Sequence, residues 1–102
     1  MAEEQLSLTG KQKKHLRGLG NRLEAKVVIG HGGISETCLS NLENCLKQDE
    51  LVKVRLQPSS GLDRKEASTQ LSERLNATEV QVFGKTILLY RKNAEKVIIK
   101  LP

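Results

Sequence analysis

A chain of 102 residues has room for one domain around one hydrophobic core and little else. It carries no tryptophan, one phenylalanine and one tyrosine, which excludes a platform that stacks several nucleobases. The formal net charge of +5 suggests a polyanionic partner without identifying it.

Residues 1–7 are polar and are expected to be flexible, and 8–102 to form a single domain. This opening begins with acids and lacks the apolar centre of a signal peptide. No apolar run approaches the roughly 20 residues of a membrane span. A cytoplasmic protein is therefore expected.

Thr9 is a candidate cap for a first helix running to about Leu23, with Leu16, Leu19 and Leu23 on one core-facing stripe. Lys13, Lys14 and Arg17 lie to one side of that stripe. Between Lys11 and Lys26 stand six cations (Lys11, Lys13, Lys14, Arg17, Arg22, Lys26) and one acid, Glu24, so this segment's net charge equals the whole chain's +5. Ordinary solvated helix faces mix acids with bases, whereas this one does not, and a role facing phosphates is expected.

Lys26 to Ile29 reads as a short buried strand. Gly30-His31-Gly32-Gly33 joins it to a second helix from about Glu36 to Lys47, capped by Ser35, with Ile34 and Leu39 at staple positions. Glycines after a strand let an anion approach the backbone at a helix N-terminus, where free amides and the helix dipole favour it. The same glycines also suit a tight turn with no ligand, and the sequence leaves both readings open. The second helix is expected to bury Cys38, Leu39, Leu42, Cys45 and Leu46. Cys38 and Cys45 are seven residues apart, about 10 Å along a helix, too far for a disulfide.

Leu51 to Gln57 alternates, with Val52, Val54 and Leu56 one way and Lys53, Arg55 and Gln57 the other, as in a strand with one wet, basic face. Pro58 to Gly61 is a loop. Asp63 followed by Glu66 opens a third helix with Ala67, Leu71 and Leu75 inward, ending near Asn76. Glu79 to Phe83 and Thr86 to Arg91 form a hairpin about Gly84-Lys85. After a polar turn, Lys92 to Glu95, Lys96 to Leu101 is a candidate final strand. The order α-β-α-β-α-β-β predicts an α/β fold: one mixed sheet with three packed helices.

Two nucleotide-binding motifs fail. A Rossmann fingerprint beginning at Gly30 would need glycine at Ser35, and a Walker loop ending at Gly84-Lys85-Thr86 would need glycine at Glu79. His15 and His31 have no cysteine or carboxylate at metal-ligand spacing. Cys38, on an apolar face, is a poor nucleophile. No catalytic residue, metal or cofactor is expected.

Taken in order, Leu8-Thr-Gly-Lys-Gln-Lys-Lys-His-Leu-Arg-Gly-Leu19, Val27-Val-Ile-Gly-His-Gly-Gly-Ile-Ser-Glu36, Glu50-Leu-Val-Lys-Val54 and Val80-Gln-Val-Phe-Gly-Lys-Thr-Ile-Leu-Leu-Tyr-Arg91 resemble the stand-alone bacterial CRM proteins (chloroplast RNA splicing and ribosome maturation, YhbY-like). The resemblance spans about Leu8 to Arg91. It implies a compact fold similar to the C-terminal domain of translation initiation factor three. It also implies RNA binding, with bacterial members associated with precursors of the large ribosomal subunit. The family's G-x-x-G falls on Gly30 and Gly33, and its basic first helix on Lys11, Lys13, Lys14 and Arg17. His31-Gly32 departs from the small polar or basic pair of many members. The expected RNA-binding set is Lys11, Lys13, Lys14, Arg17, Arg22, Gly30, His31, Gly32, Gly33, Lys53 and Arg55, in a monomer with no small-molecule substrate. The rival reading is a ribosome-associated module whose basic helix docks an acidic protein surface.

Overall fold

The computed structural model describes residues 8–93 and 95–102. The expected flexible opening, 1–7, lies outside them, as does Ala94 of the polar turn. The described residues form helix α1 (Gly10–Gly20), strand β1 (Val27–Ile29), helix α2 (Glu36–Asp49), strand β2 (Leu51–Leu56), a 3-10 turn (Pro58–Ser60), helix α3 (Arg64–Leu75), and strands β3 (Thr78–Phe83) and β4 (Thr86–Tyr90). This is the expected order. The strands make one sheet, β1-β2-β4-β3, in which β1 and β2 are parallel and the other neighbours antiparallel. The α2 crossover makes the parallel pair possible.

Both faces of the sheet are covered. On one, Leu39, Leu42 and Leu46 of α2 and Ala67, Leu71 and Leu75 of α3 pack on Ile29, Val52, Val54, Leu56, Ile87 and Leu89. On the other, Leu16 of α1 packs on Leu51, Val80, Leu88 and Tyr90, with Leu8, Leu23, Ile99 and Leu101 around it. Helix α1 lies close against the sheet at Gly20, where any side-chain carbon would overlap the Leu88 methyls.

The helix starts follow the sequence. The Thr9 hydroxyl accepts from the Gln12 amide at 3.1 Å, and Gln12 Oε1 accepts from the Thr9 amide at 3.0 Å, a reciprocal box. Ser35 Oγ accepts from the Cys38 amide, and Asp63 from Lys65 and Glu66. Ile34 and Leu39 both reach the core beneath the α2 start.

Several expectations need correction. Helix α1 stops at Gly20, not Leu23, because two poor helix formers, Gly18 and Gly20, precede Asn21. Leu19 of the expected stripe stays 37 % exposed, while Leu16 of the same helix is fully buried. Cys38 and Cys45 are half-buried at the flanks of α2 and are free thiols. Partial burial pushes the Cys38 thiol above its ordinary value, against a smaller opposing pull from its backbone hydrogen bond at Ser35.

Lys96 to Leu101 forms no strand. Its place is set by Glu50, a fully buried residue at φ 65° between α2 and β2. The Glu50 carboxylate accepts from the amides of Asn93 (2.6 Å), Ile98 (3.1 Å) and Ile99 (2.7 Å). Asn93 closes the polar turn by accepting from Glu95 and Lys96 and donating to the Lys47 carbonyl. A side chain thus supplies acceptors that a sheet neighbour would otherwise provide.

At the end of β4, Arg91 makes two 2.8 Å bonds to the Glu43 carboxylate and one to the Leu75 carbonyl, joining the ends of β4, α2 and α3. The Arg91 guanidinium holds the Glu43 carboxyl below its ordinary 4.5, outweighing partial burial, which pushes it up. A carboxylate with a pKa lower in the folded than in the unfolded state stabilises above the unfolded value. That contribution fades as pH falls through the folded value. The stability advantage of the native protein over a Glu43→Gln variant is therefore expected to hold above about pH 4.5 and shrink on acidification. Urea unfolding at a series of pH values measures it. An advantage that grows toward acid would contradict the Arg91–Glu43 clamp.

Candidate nucleic-acid interface

The expected cations do not share one flat face. Around α1, Lys13 and Arg17 flank the Leu16 side and are half-buried, with their stems against the domain and their charged ends available to water. Lys11, Lys14, His15 and Arg22 are exposed and surround a shallow depression closed by Pro102. The charge therefore fans around the helix. The sequence placed Lys13, Lys14 and Arg17 on a common side, but a 100° step separates Lys13 from Lys14.

Lys53 and Arg55 alternate with the buried Val52, Val54 and Leu56, so they point to the α1 side of the sheet. That side is only partly wet. Leu51 begins it as a buried residue and Lys53 is half-buried, while Arg55, beyond the reach of α1, is exposed. The first helix and the second strand thus bring their cations to one side of the molecule.

The glycine loop lies at the end of β1, immediately past the Ile29–Leu56 pair of the ladder and one residue beyond Val28–Arg55. Gly32 has φ 101° and Gly33 φ 67°, both open to solvent, and the Gly33 amide donates to the Gly30 carbonyl at 3.0 Å. A side-chain carbon at Gly30 would meet Gln57 Oε1, the free end of an exposed side chain that can swing aside, so space alone does not demand glycine there. The first-turn amides of Glu36 and Thr37 have no acceptor within the helix. Glu36, however, places a carboxylate at the same helix end, and it pairs with Arg74 at 3.3 Å. A phosphate at the loop would share the dipole with that acid. Gly32→Asp, a natural test on sequence grounds, is strained, because φ 101° lies outside the left-handed region that Asp tolerates.

Ion pairing separates two groups of cations. Lys26, Lys47, Arg74 and Arg91 each pair with Asp49, Glu43, Glu36 and Glu43 respectively. Among the described residues, no carboxylate lies within ion-pair distance of Lys11, Lys13, Lys14, Arg17, Arg22, Lys53 or Arg55. An unneutralised cationic side keeps its field for an external anion. No cluster of three or more His, Cys, Asp or Glu side chains arranged to hold a metal occurs among the described residues. No helix there is long and apolar enough to cross a membrane.

Sequence reasoning missed the loop and turn residues that gather near the glycine loop. Gln57, Arg64, Gly84 and Lys85 line one depression at that end, and Arg64 donates to the Gly84 carbonyl at 3.1 Å. Phe83, the chain's one phenylalanine, stands 73 % exposed beside them.

The molecule is thus a small mixed-sheet α/β domain with cations gathered on the α1 side that have no ion-pair partner among the described residues. The model of the CRS1 / YhbY (CRM) domain matches residues 8–91, and the chain belongs to that family. A protein of Pseudomonas aeruginosa named as a probable RNA-binding protein is 34% identical over 88 residues, covering 86% of this chain and 85% of its own. A protein of Haemophilus influenzae named as an RNA-binding protein is 34% identical over 99 residues, covering 94% of this chain and 96% of its own. The solution structure of the hypothetical protein SAV1595 from Staphylococcus aureus shares the fold. Its TM-score is 0.75 at 36% identity, over 94% of this chain and all of that one.

Proposed function

We propose that this protein binds structured RNA, mainly through its phosphates, and acts as a non-catalytic factor in assembly of the large ribosomal subunit. The observation that carries the RNA reading is the set of cations on α1 and β2 that lack an ion-pair partner among the described residues and lie on one side of the fold. Phosphate neutralisation by such cations releases counterions and needs neither an aromatic platform nor a closed pocket. The names of the relatives support RNA as the partner, and the ribosomal role extends the family resemblance. The protein is read as a cytoplasmic monomer that needs no cofactor. Crosslinking in cells, with the RNA sites mapped, tests the ribosomal role. Crosslinks concentrated on large-subunit RNA and its precursors are expected, and crosslinks spread evenly over unrelated transcripts would contradict it.

The glycine loop contributes backbone donors in this reading. Gly33, at φ 67° and in open space, accepts Asn or Asp with modest strain. The two variants have nearly the same shape and differ in charge. Gly33→Asp is expected to bind RNA several-fold more weakly than Gly33→Asn, at similar melting temperatures. Equal affinities would remove the loop from the phosphate path and leave it a tight turn.

A further inference from the structure

We propose that Phe83 and Arg55 form a subsite for one unpaired RNA nucleotide, its base stacked on the Phe83 ring and its phosphate held by the Arg55 guanidinium. The proposal rests on the RNA-binding reading and goes beyond it by adding a contact that distinguishes unpaired from paired RNA.

The ladder places Val28 opposite Arg55, Arg55 opposite Thr86, and Thr86 opposite Phe83. These four side chains therefore form one row across the sheet, on the α1 side. The row lies past Leu88, where α1 ends its cover, and so it is open. Val28 is 50 % and Phe83 73 % exposed. With strands about 4.8 Å apart, Arg55 and Phe83 sit roughly 10 Å apart across the half-buried Thr86. A single nucleotide can bridge that gap between base and backbone phosphate.

A β-bulge puts Phe83 there. Glu79 pairs with Leu89 and Gln81 with Leu88, so the register shifts between them. Glu79 faces α3, where its carboxylate accepts from Ser68 at 2.6 Å. Val80 packs under α1, and Val82 returns to the α2–α3 face. Without the extra residue, alternation from Val80 would carry Val82 to the open side and Phe83 toward α3. The bulge reverses this and turns the larger, aromatic ring to water. Bulges that re-aim a side chain recur next to functional sites. The turn beyond is braced, since Thr86 Oγ1 donates to the Phe83 carbonyl at 2.8 Å and Arg64 to that of Gly84.

The surroundings select the occupant. At the row itself the charged groups are cations, Arg55 with Lys53 two residues back on β2 and Lys85 in the adjoining turn, which complements a nucleotide; the acids of this face, Glu24 and Asp49, lie at its other end beside Lys26 and Leu51. One ring serves one base, and Tyr90, buried under α1, cannot supply a second platform.

The absence of tryptophan from the chain gives a clean reporter. Phe83→Trp is expected to show fluorescence quenching on addition of a single-stranded oligouridylate, and little change with a fully paired RNA duplex. Phe83→Ala should lose about 5- to 100-fold in affinity for the oligouridylate, the stacking contribution of one base, while duplex affinity stays within about twofold. Its melting temperature should be unchanged, because the ring is exposed. Equal quenching by duplex and single strand, or unchanged oligouridylate affinity in Phe83→Ala, would overturn the subsite and leave phosphate binding standing. Normal RNA affinity with lost retention on protein-containing ribosomal particles would assign Phe83 to a protein contact instead and also overturn it. Failure of the unaltered protein to bind either RNA would remove the RNA-binding reading itself.

Discussion

Replacing Lys13, Lys14 and Arg17 together with Gln is expected to weaken RNA binding severely and leave the fold intact. Gln keeps helix propensity and much of the half-buried stems of Lys13 and Arg17. Each phosphate contact contributes about 0.7 to 0.9 to the slope of log affinity against log salt, so loss of three should flatten it by roughly 2 to 3. The paired cations provide the contrast. Lys47→Gln with Arg74→Gln removes the same kind of charge from residues already engaged with Glu43 and Glu36. That double variant should leave the slope nearly unchanged. If both sets of substitutions flatten the slope alike, binding follows net charge and the α1 side has no special role.

The second large effect is structural. Glu50→Gln keeps the shape of a fully buried side chain but replaces one acceptor oxygen with a donor facing the backbone amides of the C-terminal segment. A buried amide left without its acceptor costs about 1 to 3 kcal/mol, a fall in melting temperature of roughly 5 to 20 °C for a domain of this size. Hydrogen exchange should quicken first at Asn93, Ile98 and Ile99, before the amides of β2 and β4. Unchanged melting temperature and unchanged protection at those three amides would mean the segment is held by Ile99 and Leu101 packing alone.

The elements were legible in the sequence because each carries a local signal. Alternation in Leu51 to Leu56, the caps Thr9, Ser35 and Asp63, and the Gly84-Lys85 turn all lie within a few residues of what they specify. The errors lie where a distant partner decides. Nothing local to Lys96–Leu101 reveals that a buried carboxylate 40-odd residues earlier takes its amides. The same holds for Glu50, which by composition belongs on the surface. Leu19 fits the α1 stripe, but how much of it the fold buries is a tertiary fact.

The candidate site divides in the same way. The density of cations from Lys11 to Lys26 is visible in the sequence, as is the alternation that exposes Arg55. That these two groups meet on one side depends on which face of the sheet α1 covers, and the sequence is silent on that. Phe83 was hidden by the bulge, since uninterrupted alternation places it inward. The glycines after β1 and the free amides of the α2 start are visible in the sequence, whereas the pairing of Glu36 with Arg74 at the same helix end is a tertiary contact.

The central claim is that the domain by itself binds RNA through phosphates. It is tested most directly by titrating the purified protein against a protein-free fragment of large-subunit ribosomal RNA at several salt concentrations. Log affinity is predicted to fall linearly with log salt, by about 0.7 to 0.9 for each cation engaged, giving a slope of several units. Absence of binding to the naked RNA at low salt, with binding only to protein-containing particles, would contradict the claim and favour an acidic protein surface as the partner of α1.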